Sequence, residues 1–204
     1  MTEPRRLTER GRRRRQELLD HASERFARNG YHPTSVTELV DGLGVGKGVF
    51  YWYFPSKDDL FAEILRQAQH DLRRAQQRAI AGQDDPIARI EHGVRASMRW
   101  SADHGDLLTL VEFAGTEDRF RPLLSRGREV AVADVVRHLK DAIVEGHIPD
   151  GDPEVLAHAI LGITGELGRT FIHERGADPE TTADAAVRCC LGAIGRTSPI
   201  GNAR

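Results

Sequence analysis

The chain has 204 residues, of which 39% are hydrophobic, and its formal net charge is only −2. That is enough apolar material for a buried core, in one medium domain or in a small head with a larger body, and too even a charge balance to announce a nucleic-acid partner by itself. The two cysteines, Cys189 and Cys190, are adjacent, which excludes a disulfide framework and a zinc-ligand spacing; no apolar run follows the basic N-terminus, and no stretch comes near the roughly 20 apolar residues of a membrane span. These features predict a cytoplasmic protein with no membrane partner, no metal and no cofactor.

The charge is unevenly placed. Residues 1–15 hold seven arginines (5, 6, 10, 12, 13, 14 and 15) against two glutamates (3 and 9), a local +5. Residues 1–11 read as a flexible basic arm, either touching phosphates and the minor groove, as such arms do elsewhere, or serving as a solvated tail. A first helix is expected over 12–29. Leu18, Ala22 and Phe26 form its inward stripe, and Asn29-Gly30 ends it.

The next stretch, TSVTELVDGLGVGKGVFYWYFPSKDD (34–59), reads as a helix-turn-helix followed by the capped start of a longer helix. Thr34 or Ser35 can cap a helix whose apolar positions are Val36, Leu39, Val40 and Leu43. Gly42 and Gly44 break it and permit the positive φ of a tight turn. A short second helix is expected over 46–53. It has Lys47, Gly48, Tyr51 and Trp52 on its exposed side, and Val45, Val49 or Phe50 turned inward. Pro55 stops it, and Ser56 with Asp58 and Asp59 opens the next helix. In such a unit the second helix enters the major groove, so Lys47, Gly48, Val49 and Trp52 are the base-reading candidates. Trp52 can equally be a packing residue, and Tyr53 and Phe54 are expected in the core. The glycines are no phosphate cradle: Asp41 stands where a Walker A motif needs Gly, Gly48 where it needs Ser or Thr, and no strand precedes them.

A long helix is expected over 57–81, with Leu60, Ile64, Ala68, Leu72 and Ala75 as its stripe. It leads to a break at 82–86, where Pro86 suits a first helical turn. Further helices are expected over 86–102, 106–115, 122–145 and 154–174, and from Asp178-Pro179 to about 195, with 196–204 frayed. Asp103, His104 and Asp106 fall in an inter-helix turn and read as a solvated loop. Gly162, Gly165 and Gly168 recur every three residues, a row that suits close approach by another helix, from a second subunit or from the same chain. The nine histidines include no HExxH pair, and no Ser, Cys or Lys sits in a recognisable nucleophile motif.

GVGKGVFYWYFPSKDDL (44–60) resembles the DNA-binding signature of the TetR family of transcriptional regulators. The resemblance extends over about 14–65 and includes Leu18, Ala22, Phe26, Gly30, Thr34, Val36, Gly44-Val45, Gly48, Tyr51, Tyr53-Phe54 and Ser56-Lys57 in order. The chain departs from it at Gly46, where members commonly carry Ser or Thr, and at Val49, often a hydroxyl residue. The resemblance implies that Thr34, Tyr51 and Lys57 contact phosphates. It also implies that the last two helices form a four-helix bundle between two subunits, with Gly162, Gly165 and Gly168 as interface candidates. It further implies a small-molecule pocket in the body, for which Trp100, Glu112, Phe113, Phe120, His138 and Thr164 are the candidates.

The expected fold class is all-α. An N-terminal three-helix head (12–56) would be joined by a connecting helix (57–81) to a helical-bundle body for ligand binding and dimerisation (82–195). The expected function is a ligand-responsive regulator, a repressor, that binds a palindromic operator on double-stranded DNA as a homodimer and is not an enzyme. The alternatives are a regulator of this fold governed without a small molecule and, remotely, a helical-bundle enzyme.

Overall fold

The structure, a computed structural model, describes residues 7–196. Residues 1–6 of the expected arm and 197–204 of the expected frayed tail lie outside the described residues. The described residues form nine α-helices and no strand: α1 Glu9–Asn29, α2 Val36–Gly42, α3 Lys47–Tyr53, α4 Lys57–Ile80, α5 Pro86–Asp103, α6 Gly105–Thr116, α7 Arg121–Val144, α8 Pro153–Leu167 and α9 Pro179–Ala193. A π-helical segment, Gly168–Glu174, continues α8.

The helix starts are chemically marked. The side chains of Thr8, Ser35, Ser56, Asp85, Asp152 and Asp178 each accept a backbone N–H of the first turn they precede, satisfying donors that the helix itself leaves unpaired. Thr8 thus starts α1 three residues ahead of expectation, so the arginines from Arg10 onward are helical. Between α2 and α3, only Gly44 takes a positive φ (64°). Gly42 is needed for another reason: a Cβ there would collide with Nε2 of His21 on α1. The turn between α5 and α6 is reduced to one residue, His104, whose ring stacks on Trp100 (centroids 4.5 Å apart) while Nδ1 meets the Trp100 carbonyl at 2.8 Å. His104 makes a packed corner, while Asp103 and Asp106 on either side are exposed.

Two cores result. The first gathers Leu18, Leu19, Ala22 and Phe26 of α1, Leu39 and Val40 of α2, Phe50 and Phe54, and the first half of α4, and it also takes in Leu110, Ala114 and Phe120. The second lies among α5, α7, α8, α9 and the π-helical segment, around Met98, Leu139, Ala142, Ala157, Ala183 and Cys190. Burial pushes the Cys190 thiol up to about 11. One expectation is corrected here. The stretch Pro153–Glu174, 22 residues long, is long and apolar enough to cross a membrane by length and composition. In the fold it packs on α5, α7 and α9 and leaves Val155 62% and Phe171 38% exposed.

Candidate nucleic-acid interface and body cleft

Helix α3 divides its residues sharply. Phe50 is fully buried and anchors the helix, while Tyr51 and Trp52 are 54% and 53% exposed. Lys47 and Gly48 are exposed beside them and Val49 is half-buried, so Lys47, Gly48, Tyr51 and Trp52 share one accessible surface. Phe54 is buried and Tyr53 half-buried, with the Trp52 and Tyr53 rings edge to face at 4.5 Å. Gly46 precedes the helix with no side-chain cap, the consequence of glycine where a hydroxyl residue is common. Neither Gly46 nor Gly48 has any atom within 4 Å of where a Cβ would stand, so Gly48 has no packing duty in the protein.

Of the expected phosphate contacts, Thr34 is corrected by its burial and Lys57 is engaged within the protein. Thr34 has no exposed surface, and its hydroxyl donates to the Gly30 carbonyl at 2.8 Å; Ser35 is the residue that caps α2. Lys57 points back into the protein. Its ammonium donates to the carbonyls of Tyr31 and Thr34, each at 2.9 Å, and sits 4.2 Å from the centre of the Tyr31 ring. Burial lowers its pKa, with Asp58 opposing and Arg119 assisting that shift. Lys57 therefore ties the loop ahead of α2 to the start of α4. Lys57→Met removes the donor that serves both carbonyls, so we expect a loss of about 2 kcal/mol in urea unfolding, the scale of charge-assisted hydrogen bonds. A loss below about 0.5 kcal/mol, the level of an ordinary surface substitution, would show that water replaces the ammonium freely.

The arginine run on α1 is largely engaged. Arg14 meets Glu17 at 2.8 Å, Arg15 meets Glu63 at 2.8 Å while lying over the Phe54 ring, and Arg13 reaches Glu17 at 3.3 Å. The loop ahead of α2 is also tied to the body. Tyr31 donates to Asp58, Arg119 bridges Asp58 (3.3 Å) and Glu117 (2.8 Å), and His32 pairs with Glu117 at 3.0 Å. Phe113 stacks on Tyr31 (5.3 Å), and Phe120 is buried against Phe61 (4.8 Å). These two aromatics, expected in a ligand pocket, belong instead to the joint between head and body.

The remaining pocket candidates line a cleft bounded by α4, α5, α6, α7, α8 and the π-helical segment. Its larger part, about 590 Å³, is lined by Trp100, Glu112 and Thr164; a smaller part, about 100 Å³, by His138 and Thr164. The two parts share Ser97, Ala131 and Leu161. Burial, helped by Arg89 and Arg137, lowers the His138 pKa, and its Nδ1 has no hydrogen-bond partner. Sequence patterning missed the residues that span this cleft. Arg73 on α4 holds Asp134 on α7 through two bonds of 2.6 and 3.0 Å, and Gln76 donates to Ser97 at 2.9 Å. Nothing in their local spacing marks them, since each reads as a solvated helix position. Of the three glycines in a row, Gly162 and Gly165 are exposed with open space above them. Gly168 is buried against Ser101 (3.3 Å) and Met98 (3.6 Å) of its own chain, so internal packing accounts for it. Among the described residues no group of three or more His, Cys, Asp or Glu is placed to hold a metal ion.

Comparison with known proteins adds four findings. Residues 18–64 match the model for bacterial regulatory proteins, tetR family. The HTH-type transcriptional activator FasR of Mycolicibacterium smegmatis is 35% identical over 187 residues, which span 89% of this chain and 83% of that protein. The HTH-type transcriptional regulator AcrR of Shigella flexneri is 38% identical over 58 residues, but the matched stretch spans only 28% of this chain and 27% of that regulator's length. In fold, a bacterial regulatory protein in the tetR family from Rhodococcus RHA1 superposes with a TM-score of 0.78 at 20% identity, covering 94% of this chain and 100% of that one.

Proposed function

The chain belongs to the tetR family of bacterial regulatory proteins, and from that premise we propose that it is a DNA-binding transcriptional regulator that holds a palindromic operator as a homodimer and is released from it by a small molecule. The observation that carries the reading is the division of α3, with Phe50 locked in the core and Lys47, Gly48, Tyr51 and Trp52 displayed together. Lys47 can donate to guanine acceptors or to phosphate, Tyr51 to phosphate, and Gly48 admits close approach of the groove wall. The half-buried Val49 offers apolar contact to a thymine methyl from the helix edge.

Dimerisation is supported by the surface that α8 leaves uncovered. Val155, Gly162 and Gly165 are exposed on α8 and Phe171 on the π-helical segment that continues it, beside the exposed Glu154, His158 and Glu166, and apolar positions exposed together in this way suit an interface. A two-fold pair places two copies of α3 on half-sites one DNA turn, or a multiple, apart. The cleft between α4 and α7 supports ligand control, because any molecule that alters the spacing of those helices acts on the element joining head to body. The ligand must bind the geometry with misplaced heads more tightly than the DNA-bound one.

A DNase footprint of the purified protein on the DNA flanking its own gene, at near-physiological salt, tests this reading. A protected site with two-fold symmetry is expected, overlapping the promoter if the protein represses. Lys47→Ala and Tyr51→Ala should each weaken protection by about 1–3 kcal/mol, the scale of a well-made DNA contact. Full protection by both variants would remove α3 as the reading element.

A further inference from the structure

The chemical class of ligand follows from how the cleft divides its polarity, on the premise that the cleft is the effector site. Its wall is apolar along Leu72, Trp100, Leu108, Val111, Leu123 and Leu161. Its charged groups are mostly basic: Arg66, Arg73, Arg126 and Arg169 line it against Glu112 and Asp134. Three of these arginines are already answered by carboxylates, Arg66 by Glu63, Arg73 by Asp134 and Arg169 by Glu166 and Glu174. Arg126 is exposed on α7 at the larger part of the cleft and has no carboxylate partner among the described residues. Of the acids, Asp134 is held by Arg73 and Arg137 (2.5 Å), and Glu112 lies in the field of Arg169.

A cation entering here would meet four guanidiniums and one acid, Glu112, that no arginine among the described residues bonds, since Asp134 is already shared. An apolar molecule with an anionic end would bury its body on the wall and supply the charge that Arg126 lacks. The volume of about 590 Å³ lies within the range of sites that enclose a drug-sized ligand. We propose that the effector is an amphiphile with an apolar chain and an anionic head, the chain lying along the Trp100–Leu161 wall and the head, a carboxylate or phosphate ester, on Arg126.

The test uses the full chain and four probes of equal chain length, kept below their micellar concentrations: dodecanoate, dodecyl phosphate, dodecanol and dodecyltrimethylammonium. Binding is read by calorimetry, and release of the footprinted DNA is measured in parallel. At least one of the two anions should bind about tenfold tighter than the alcohol, the value of one charge-assisted contact, and the cation weakest. The preferred anion names the head. Arg126→Gln should erase the anion's advantage and leave the alcohol unchanged, a result that misfolding could not produce. Ala131→Trp, which fills the junction of the two cavities, should abolish binding of all four with the circular dichroism unaltered. Binding of the alcohol or cation as tightly as the anions, or an anion preference indifferent to Arg126→Gln, would overturn the anionic assignment and leave ligand control standing. If none of the four binds while the footprint stays intact, the amphiphile assignment is overturned and ligand control by another class of molecule stands.

Discussion

Phe61→Ala should destabilise the head by about 3–5 kcal/mol, the range for emptying the site of a fully buried phenylalanine. Phe61 has no exposed surface. Its ring meets four others: Phe26 of α1 at 5.5 Å, Tyr31 of the following loop at 4.8 Å, Phe113 of α6 at 5.7 Å and Phe120 at 4.8 Å. No neighbour can collapse into the gap without abandoning another contact, because three of the rings meet Phe61 edge to face and the fourth, Phe120, at a tilt. The loss is large against the roughly 5–15 kcal/mol that holds a typical domain together. Urea unfolding followed by fluorescence would measure it, with Phe61→Leu costing markedly less. A cost below about 1 kcal/mol for the alanine variant would mean that the cluster relaxes and does not join head to body.

The second large effect separates folding from recognition. Gly48 lies inside α3 with no positive φ, and a Cβ added to it would have nothing within 4 Å. Gly48→Leu should therefore keep the fold and raise its stability slightly, by less than about 1 kcal/mol, since glycine is a poor helix former. The same leucine would stand between α3 and the floor of the major groove, so operator protection should be lost at concentrations that saturate the parent protein. Two measurements decide it: a thermal melt and a footprint. A stable variant with full protection would show that α3 does not approach DNA at Gly48. An unstable one would show that the open space belongs to some other part of the fold.

Much of this protein is legible in its sequence for a definite physical reason. Caps and breakers act within four residues, so Ser35, Ser56, Asp85, Asp152 and Asp178 locate helix starts without reference to anything distant. The apolar stripes of α1 and α4 likewise mark their buried faces, and the spacing of Gly44, Gly48, Tyr51 and Phe54 marks the helix-turn-helix. Local patterning does not show which polar side chains the protein itself takes up: Thr34 is held by the Gly30 carbonyl close by, and Lys57 by carbonyls far back in the chain. Thr34 and Lys57 both carry donors near helix starts, which reads as readiness for phosphate. The tertiary structure turns both inward, because the stretch from Gly30 to Thr34 has carbonyls that no local ladder satisfies.

The allocation of aromatic residues shows the same division. Phe113 and Phe120 lie some fifty residues beyond Phe61, and nothing in their local pattern distinguishes a ligand wall from a joint; only the packing of α6 beside α1 decides it. Gly168 differs from Gly162 and Gly165 in the same way, since three equally spaced glycines look alike until α5 is laid against one of them. What the amino-acid sequence determined by itself was the order of the helices and most of their limits, the all-α class and the helix-turn-helix, all set by interactions a few residues in range. Which polar groups remain free for a ligand or for DNA was decided only by the fold, because a donor's availability depends on partners far along the chain.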